Sequence, residues 1–198
     1  MHLRVQTCID NSDFYITDNP NDSYVELFIQ SISLDNRPLK NLVDNPYTYN
    51  KLKSMDFKYA CLWIDKNDFP YVGWFAMQYD NLPKNVLRIF TRYYRLSDYN
   101  KANYKFVREE FRLLKEHFKP LIDEDNIDTI FWARHFDTVG PTDDIKFDKW
   151  TRAFLTPHNL DVHKTKIKLK GIDQHLVYFN AWDNTEVDHS FLEFLDKV

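Results

Sequence analysis

Residues 86–121 read VLRIFTRYYRLSDYNKANYKFVREEFRLLKEHFKPL, and the order of patterns in this stretch decides the fold. The first part, VLRIFTRYYRL (86–96), is rich in β-branched and aromatic residues. Arg88, Phe90, Arg92 and Tyr94 recur with a period of two, which predicts a long strand carrying these four on one face. Val107, Phe111, Leu114, Phe118 and Leu121 then recur at spacings of four, three, four and three. That is the apolar stripe of one long helix, with Phe106 and Leu113 on its flank and Arg108, Arg112, Lys115 and Glu116 away from it. Pro120 disfavours helical geometry at Lys119, so the helix is expected to stop or kink there.

Working outward, LRVQTCI (3–9) alternates and reads as a strand. Val25, Phe28, Ile29 and Ile32 sit at helical spacing behind Asp22, which predicts a capped helix over 22–34. A short helix is expected after Asn45-Pro46. YACLWI (59–64), the polar turn DKND and PYVGWFAMQY (70–79) read as a β-hairpin. Beyond the long helix, DTIFWAR (128–134) is a short buried strand and Phe147–Leu155 a short helix. In VHKTKIKLK (162–170), Lys164, Lys166, Lys168 and Lys170 alternate with His163, Thr165, Ile167 and Leu169, as in a sheet edge kept soluble by charge. HLVYFNAW (175–182) returns as its antiparallel partner, and HSFLEFLDKV closes with an amphipathic stretch. Grouped strands with few crossovers imply an α+β fold: a mixed, mostly antiparallel sheet with helices on both faces.

Composition narrows the function classes. The 198 residues carry a formal charge of −4 and contain 17% Phe, Trp and Tyr. That aromatic content excludes a disordered chain. A mean hydropathy of −0.57 excludes a membrane bundle. The start, MHLRVQTCID, has no apolar leader, and Cys8 and Cys61 are too few for a disulfide framework, so a reducing cytoplasm is expected. The three glycines, Gly73, Gly140 and Gly171, are too dispersed for a dinucleotide fingerprint, a Walker loop or a nucleophile elbow. No zinc signature occurs, and no metal is expected. The acidic run 123–128 lacks a central glycine and a distal Glu in register, so it reads as a loop ending a helix and not as a calcium site. Cys61, within an apolar strand, reads as core.

Charge is unevenly spread. Residues 84–119 hold ten Lys or Arg against four acids, a net of +6; with −4 overall, the remainder carries −10. Residues 120–148 hold eight acids against Arg134 and Lys146. A basic segment in an acidic chain attracts an anion locally, while the whole field argues against long polyanions such as nucleic acid. The same pattern also arises from two solvated faces of opposite sign.

RIFTRYYRLSDYN before the long helix, DTIFWARH after it and the late hairpin KLKGIDQHLVYFN, in this element order, resemble the GNAT superfamily of acyl-CoA-dependent N-acetyltransferases. The similarity spans roughly residues 58–182 and is nearest to the GNAT-like proteins of tailed bacteriophages. It implies one acyltransferase domain over 1–198 and transfer of an acetyl or similar group from acetyl-CoA to an amine, on a small molecule or a protein. It further implies that the turn after the long strand holds the coenzyme through Tyr94, Arg95, Asn100, Lys101, Ala102 and Asn103. Exposed amides at a helix start suit a diphosphate. Where the family has two glycines, this chain has Asn103 and Lys105; Asn tolerates positive φ, and Lys105 either crowds the phosphates or adds charge to them.

Residues 86–97 contain no Asp or Glu, and no tyrosine lies between Asp128 and Val177, so the family's usual base and acid are missing. His135, at the end of DTIFWAR, is the remaining acid–base candidate. Arg92 and Arg134 are candidates for binding the acceptor. The second function class is a GNAT-like fold without catalysis, acting as a phage structural or host-interaction protein with a protein partner, in the host cytoplasm or the virion. Loss of the glycines favours that class.

Overall fold

The computed structural model describes residues 1–9, 11–33, 49–94, 104–135, 163–169, 172–180 and 189–197. Met1–Met77 with Ile89–Leu113 form one compact unit, and Gln78–Arg88 with Leu114–Val198 form another.

In the first unit, β1 (His2–Gln6), β2 (Asp13–Thr17), β3 (Tyr59–Ile64) and β4 (Pro70–Met77) make an antiparallel meander. β5 (Val86–Tyr94) follows β4 in the strand order. β2 has no counterpart in the periodicity above. Phe14, Tyr15 and Ile16 are all buried, so the strand shows no apolar–polar alternation, and five residues are too few to signal by length.

Helices cover both faces of this meander. α1 (Ser23–Ser33) starts at Asp22, whose Oδ1 accepts the Tyr24 N–H at 2.9 Å, and it buries the expected Val25, Phe28, Ile29 and Ile32. It sits on the Leu62 side of β3, with Phe28 against Phe75 at 5.9 Å between ring centroids. α3 (Tyr104–Leu113) sits on the other side, where Phe106 lies 5.4 Å from Trp63. A short α2 (Tyr49–Lys53) follows Asn45-Pro46 as expected.

The hairpin β3–β4 turns through Asp65, whose Oδ1 accepts the N–H groups of Asn67 and Phe69, with Asp68 at φ 61°. Its register shifts between Trp63 and Ile64, which face Val72 and Pro70, so Tyr71 is the extra residue of a β-bulge. The bulge brings Tyr71 to the α3 side, 6.4 Å from Phe106. Phe106 and Leu113, read as flanking the apolar stripe, are core residues, 1% and 0% exposed. Phe111, Leu114 and Phe118 of the stripe are buried as well.

The chain leaves α3 through a π-helical turn, Leu114–Phe118, and enters α4 (Lys119–Glu124) with Pro120 in its first turn. The break thus falls one turn earlier than expected, and the helix resumes at Lys119. A proline is tolerated where no intrahelical N–H bond is needed, and the widened turn ahead of it relieves the ring's clash with the preceding carbonyl. α4 ends in a Schellman motif. Ile127 N–H donates to Ile122 O at 2.8 Å, Asn126 N–H to Asp123 O at 3.0 Å, and Asn126 takes φ 56°. Ile122 and Ile127 are buried across the motif. The acidic run is thus a helix terminator, as read.

In the second unit, β6 (Thr129–His135) pairs antiparallel with β8 (Ile172–Asn180), and β8 with β7 (His163–Leu169). A 3-10 helix, His189–Lys197, lays Phe191 and Leu195 on Leu82, Val86 and Phe131. The predicted helix over 147–155 lies outside the described residues. The mostly antiparallel α+β fold is as expected.

Gly73 is the tightest point of the first unit. A Cβ there would lie 2.6 Å from Leu62 Cδ2, 2.8 Å from Phe28 Cζ and 3.0 Å from the Cys61 carbonyl. Gly73→Ala is expected to cost about 1–3 kcal/mol by overpacking, read as a lower urea midpoint with unchanged slope. An unchanged midpoint would show that α1 shifts freely.

Candidate functional site

A parallel pair cannot be joined by a tight turn; its partners must be brought together by a long crossover. Among the described ladders β5–β6 is the parallel one, with Val86, Leu87 and Arg88 facing Thr129, Ile130 and Phe131. Asn85 fixes its start. The Asn85 carbonyl accepts the N–H of Asp128 at 3.0 Å and of Thr129 at 3.1 Å. Its side-chain amide donates to both carboxylate oxygens of Asp128, at 2.9 and 3.0 Å. Thr129 Oγ1 donates to the same carboxylate at 2.9 Å. One residue thus holds the entry of both strands, through its backbone carbonyl and its side-chain amide.

The ladder is backed by apolar packing. Val86 and Phe131 sit with Leu82, Phe191 and Leu195, and the Phe131 and Phe191 rings are 5.5 Å apart. At its far end, Arg88 Nη1 donates to Tyr79 Oη at 3.2 Å, and the guanidinium lies 5.8 Å from the Tyr79 ring centroid. Asn85, Asp128 and Tyr79 were not singled out from sequence. Asn and Asp at a strand start are common turn residues and carry no signal of a clamp.

Arg92 and Tyr94 lie in β5, and Arg134 and His135 end β6, where their cross-strand partners in β8 are His175 and Gln174. Arg95, Asn100, Lys101, Ala102 and Asn103 lie outside the described residues. The helix that follows them, α3, has no acid in its first turn, and Lys105 and Arg108 are exposed. The start of α3 therefore presents positive charge with no carboxylate of its own first turn to cancel it, which suits an anionic ligand.

One turn further on, Glu109 and Glu110 are buried, at 6% and 3% exposure. Glu109 accepts from Arg112 Nε at 2.9 Å and Nη2 at 2.8 Å, and from the Cys8 N–H at 3.3 Å. Arg112 holds the Glu109 carboxyl down at about 2, against the opposing effect of burial. The Glu109 contact in turn pushes the Cys8 thiol up. Burial, with Glu110 nearby, pushes Cys61 well up. Both cysteines are thereby poor nucleophiles.

No protein-family model matches the sequence, and no curated protein matches it. Among solved structures, a GNAT-family acetyltransferase from Staphylococcus aureus Mu50 matches with a TM-score of 0.52 at 16% identity, over 85% of this chain and 99% of that one. The fold is the GNAT fold. An aminoglycoside 6'-N-acetyltransferase solved with coenzyme A gives 0.52 at 10% identity, over 86% and 99%. The AHL synthase LasI gives 0.53 at 10%, over 87% and 91%. GNAT structures are thus matched over nearly their full length. Among the described residues, no helix is long and apolar enough to cross a membrane, and no three His, Cys, Asp or Glu gather as metal ligands.

Two measurements check the site's supports. Asn85→Ala removes both amide bonds to Asp128 and is expected to cost about 1–3 kcal/mol; Asn85→Asp places two carboxylates together and is expected to cost more. Equal stability of all three proteins would show the clamp to be idle. For Glu109, whose carboxyl is held below its ordinary 4.5, the contribution is complete above that value and fades as pH falls towards 2. Arg112 is half exposed, so the expected size is about 1–2 kcal/mol. Glu109→Gln should flatten the acid limb of urea stability by that amount; parallel acid limbs would refute it.

Proposed function

We propose that this chain, as one domain over residues 1–198, transfers an acetyl or similar acyl group from acyl-CoA to an amine. The observation that carries the reading is the parallel β5–β6 pair within a GNAT fold, with β5 followed by a helix whose first turn holds Lys105 and no acid. The acyl-CoA donor would supply an activated thioester. Arg95 and the segment Asn100, Lys101, Ala102 and Asn103 would hold its phosphates, by backbone amides and by the charges of Arg95 and Lys101, with Tyr94 at the strand end beside them. Lys105, exposed on α3, is free of the core and adds charge.

Arg92 and Arg134 would orient the acceptor. His135 would take the proton released as the acceptor nitrogen forms the new C–N bond and the thioester C–S bond breaks; the proton ends on the sulfur leaving group. Positioning an amine against a thioester contributes much of such a rate, so few protein acids are needed. The protein would work in a cytoplasm, that of the host if the chain is viral.

Calorimetry with acetyl-CoA is expected to show one saturable site. Lys101→Glu should weaken it about tenfold, the scale of a lost charge-assisted contact. With an amine panel and thiol detection, His135→Ala should lower kcat about 10²-fold with little change in KM. Absence of heat and of any thermal shift with millimolar acetyl-CoA would overturn the reading.

A further inference from the structure

We propose that β7 is a docking edge for an acidic polypeptide bound in extended conformation. β7 stands last in the strand order. It pairs on one side with β8, and among the described residues no strand lies on its other side. Such an edge offers the N–H and C=O groups of alternate residues to an incoming strand.

Lys164, Lys166 and Lys168 occupy alternate positions along it. Alternate positions of a strand share a face and repeat every ~6.6 Å. The ladder extends this basic row inward. Lys164, Lys166 and Lys168 lie across from Val177, His175 and Asp173 in β8. Val177 and His175 lie in turn across from Trp132 and Arg134 in β6. Lys166, His175 and Arg134 thus form one row over three strands, and Asp173 is the one acid among these positions.

A strand added outside β7 places its own alternate residues directly beside those lysines, with Cβ atoms about 4.5–5.5 Å away. Asp or Glu at every second position of the partner then meets a lysine each time, while its main chain pairs with the edge. A nucleic acid meets only the charges, because a phosphodiester chain has no amide to pair with the strand. The chain's overall charge of −4 also discourages a long polyanion. The same lysines repel the β7 edge of a second copy, so one set of charges excludes self-pairing and selects an acidic partner. None of this depends on acyl transfer.

The test uses the full chain and labelled peptides followed by fluorescence anisotropy. A short peptide alternating Glu with Thr and Val is expected to bind, with affinity falling as salt rises. Changing Lys164, Lys166 and Lys168 together to Glu should weaken binding at least about tenfold and create binding of a peptide alternating Lys with Thr and Val. If that variant does not fold, Lys166→Glu alone is expected to cost about threefold. Methylating alternate backbone nitrogens of the peptide should abolish binding. The proposal falls if the alternating peptide does not bind. It also falls if a peptide of the same composition with its acids contiguous binds as well, if methylation has no effect, or if a single-stranded oligonucleotide binds more tightly.

Discussion

Asn85 holds the entry of the parallel ladder, and the pairing of β5 with β6 depends on that hold. Its carbonyl and side-chain amide engage Asp128 and Thr129 together, so β5 and β6 begin from one point and run the same way. A parallel pair has no hairpin to set its register. Here register is set by a polar clamp at one end and by the Val86–Phe131–Phe191–Leu195 cluster beside it. The residues assigned to chemistry, Arg92 and Tyr94 on one strand and Arg134 and His135 on the other, all lie downstream of that fixed start.

Much of the fold was legible because its elements obey simple periods. The β3–β4 hairpin, β5, β6 and the β7–β8 hairpin stand where alternation and turn residues put them, and α1 buries the four residues that its spacing named. β2 escaped because a short strand buried on both faces has no period to detect. What Phe106 packs against was not legible for a different reason. Trp63 and the bulge residue Tyr71 create an aromatic seat that draws in Phe106, and a bulge cannot be read from one sequence. The π turn belongs to the same category. Pro120 announced a disturbance, but not that the helix would widen ahead of it and continue.

Of the candidate site, less was legible. Its strands were identified, and with them the chain positions of Arg92, Tyr94, Arg134 and His135. Its supports were not, because Asn85, Asp128 and Tyr79 are ordinary residues until the ladder brings them together. The buried Glu109 is similar: one acid among many in the sequence, it is an interior carboxylate sustained by Arg112 and the Cys8 amide. A charged residue on a helix reports its role only when its neighbours across the sheet are known.

The β5–β6 ladder also bears on how the chain reaches its native state. The β1–β2 and β3–β4 pairs join segments close in sequence, and so close short loops. Bringing Val86 beside Thr129 closes a loop of roughly forty residues through α3, the π turn and α4. Contacts of such separation form late and set the pace of assembly. The β2–β3 and β6–β8 pairs span similar separations, so the clamp belongs with them to the slower half of assembly, and a ribosome must release α4 and β6 before it can form at all.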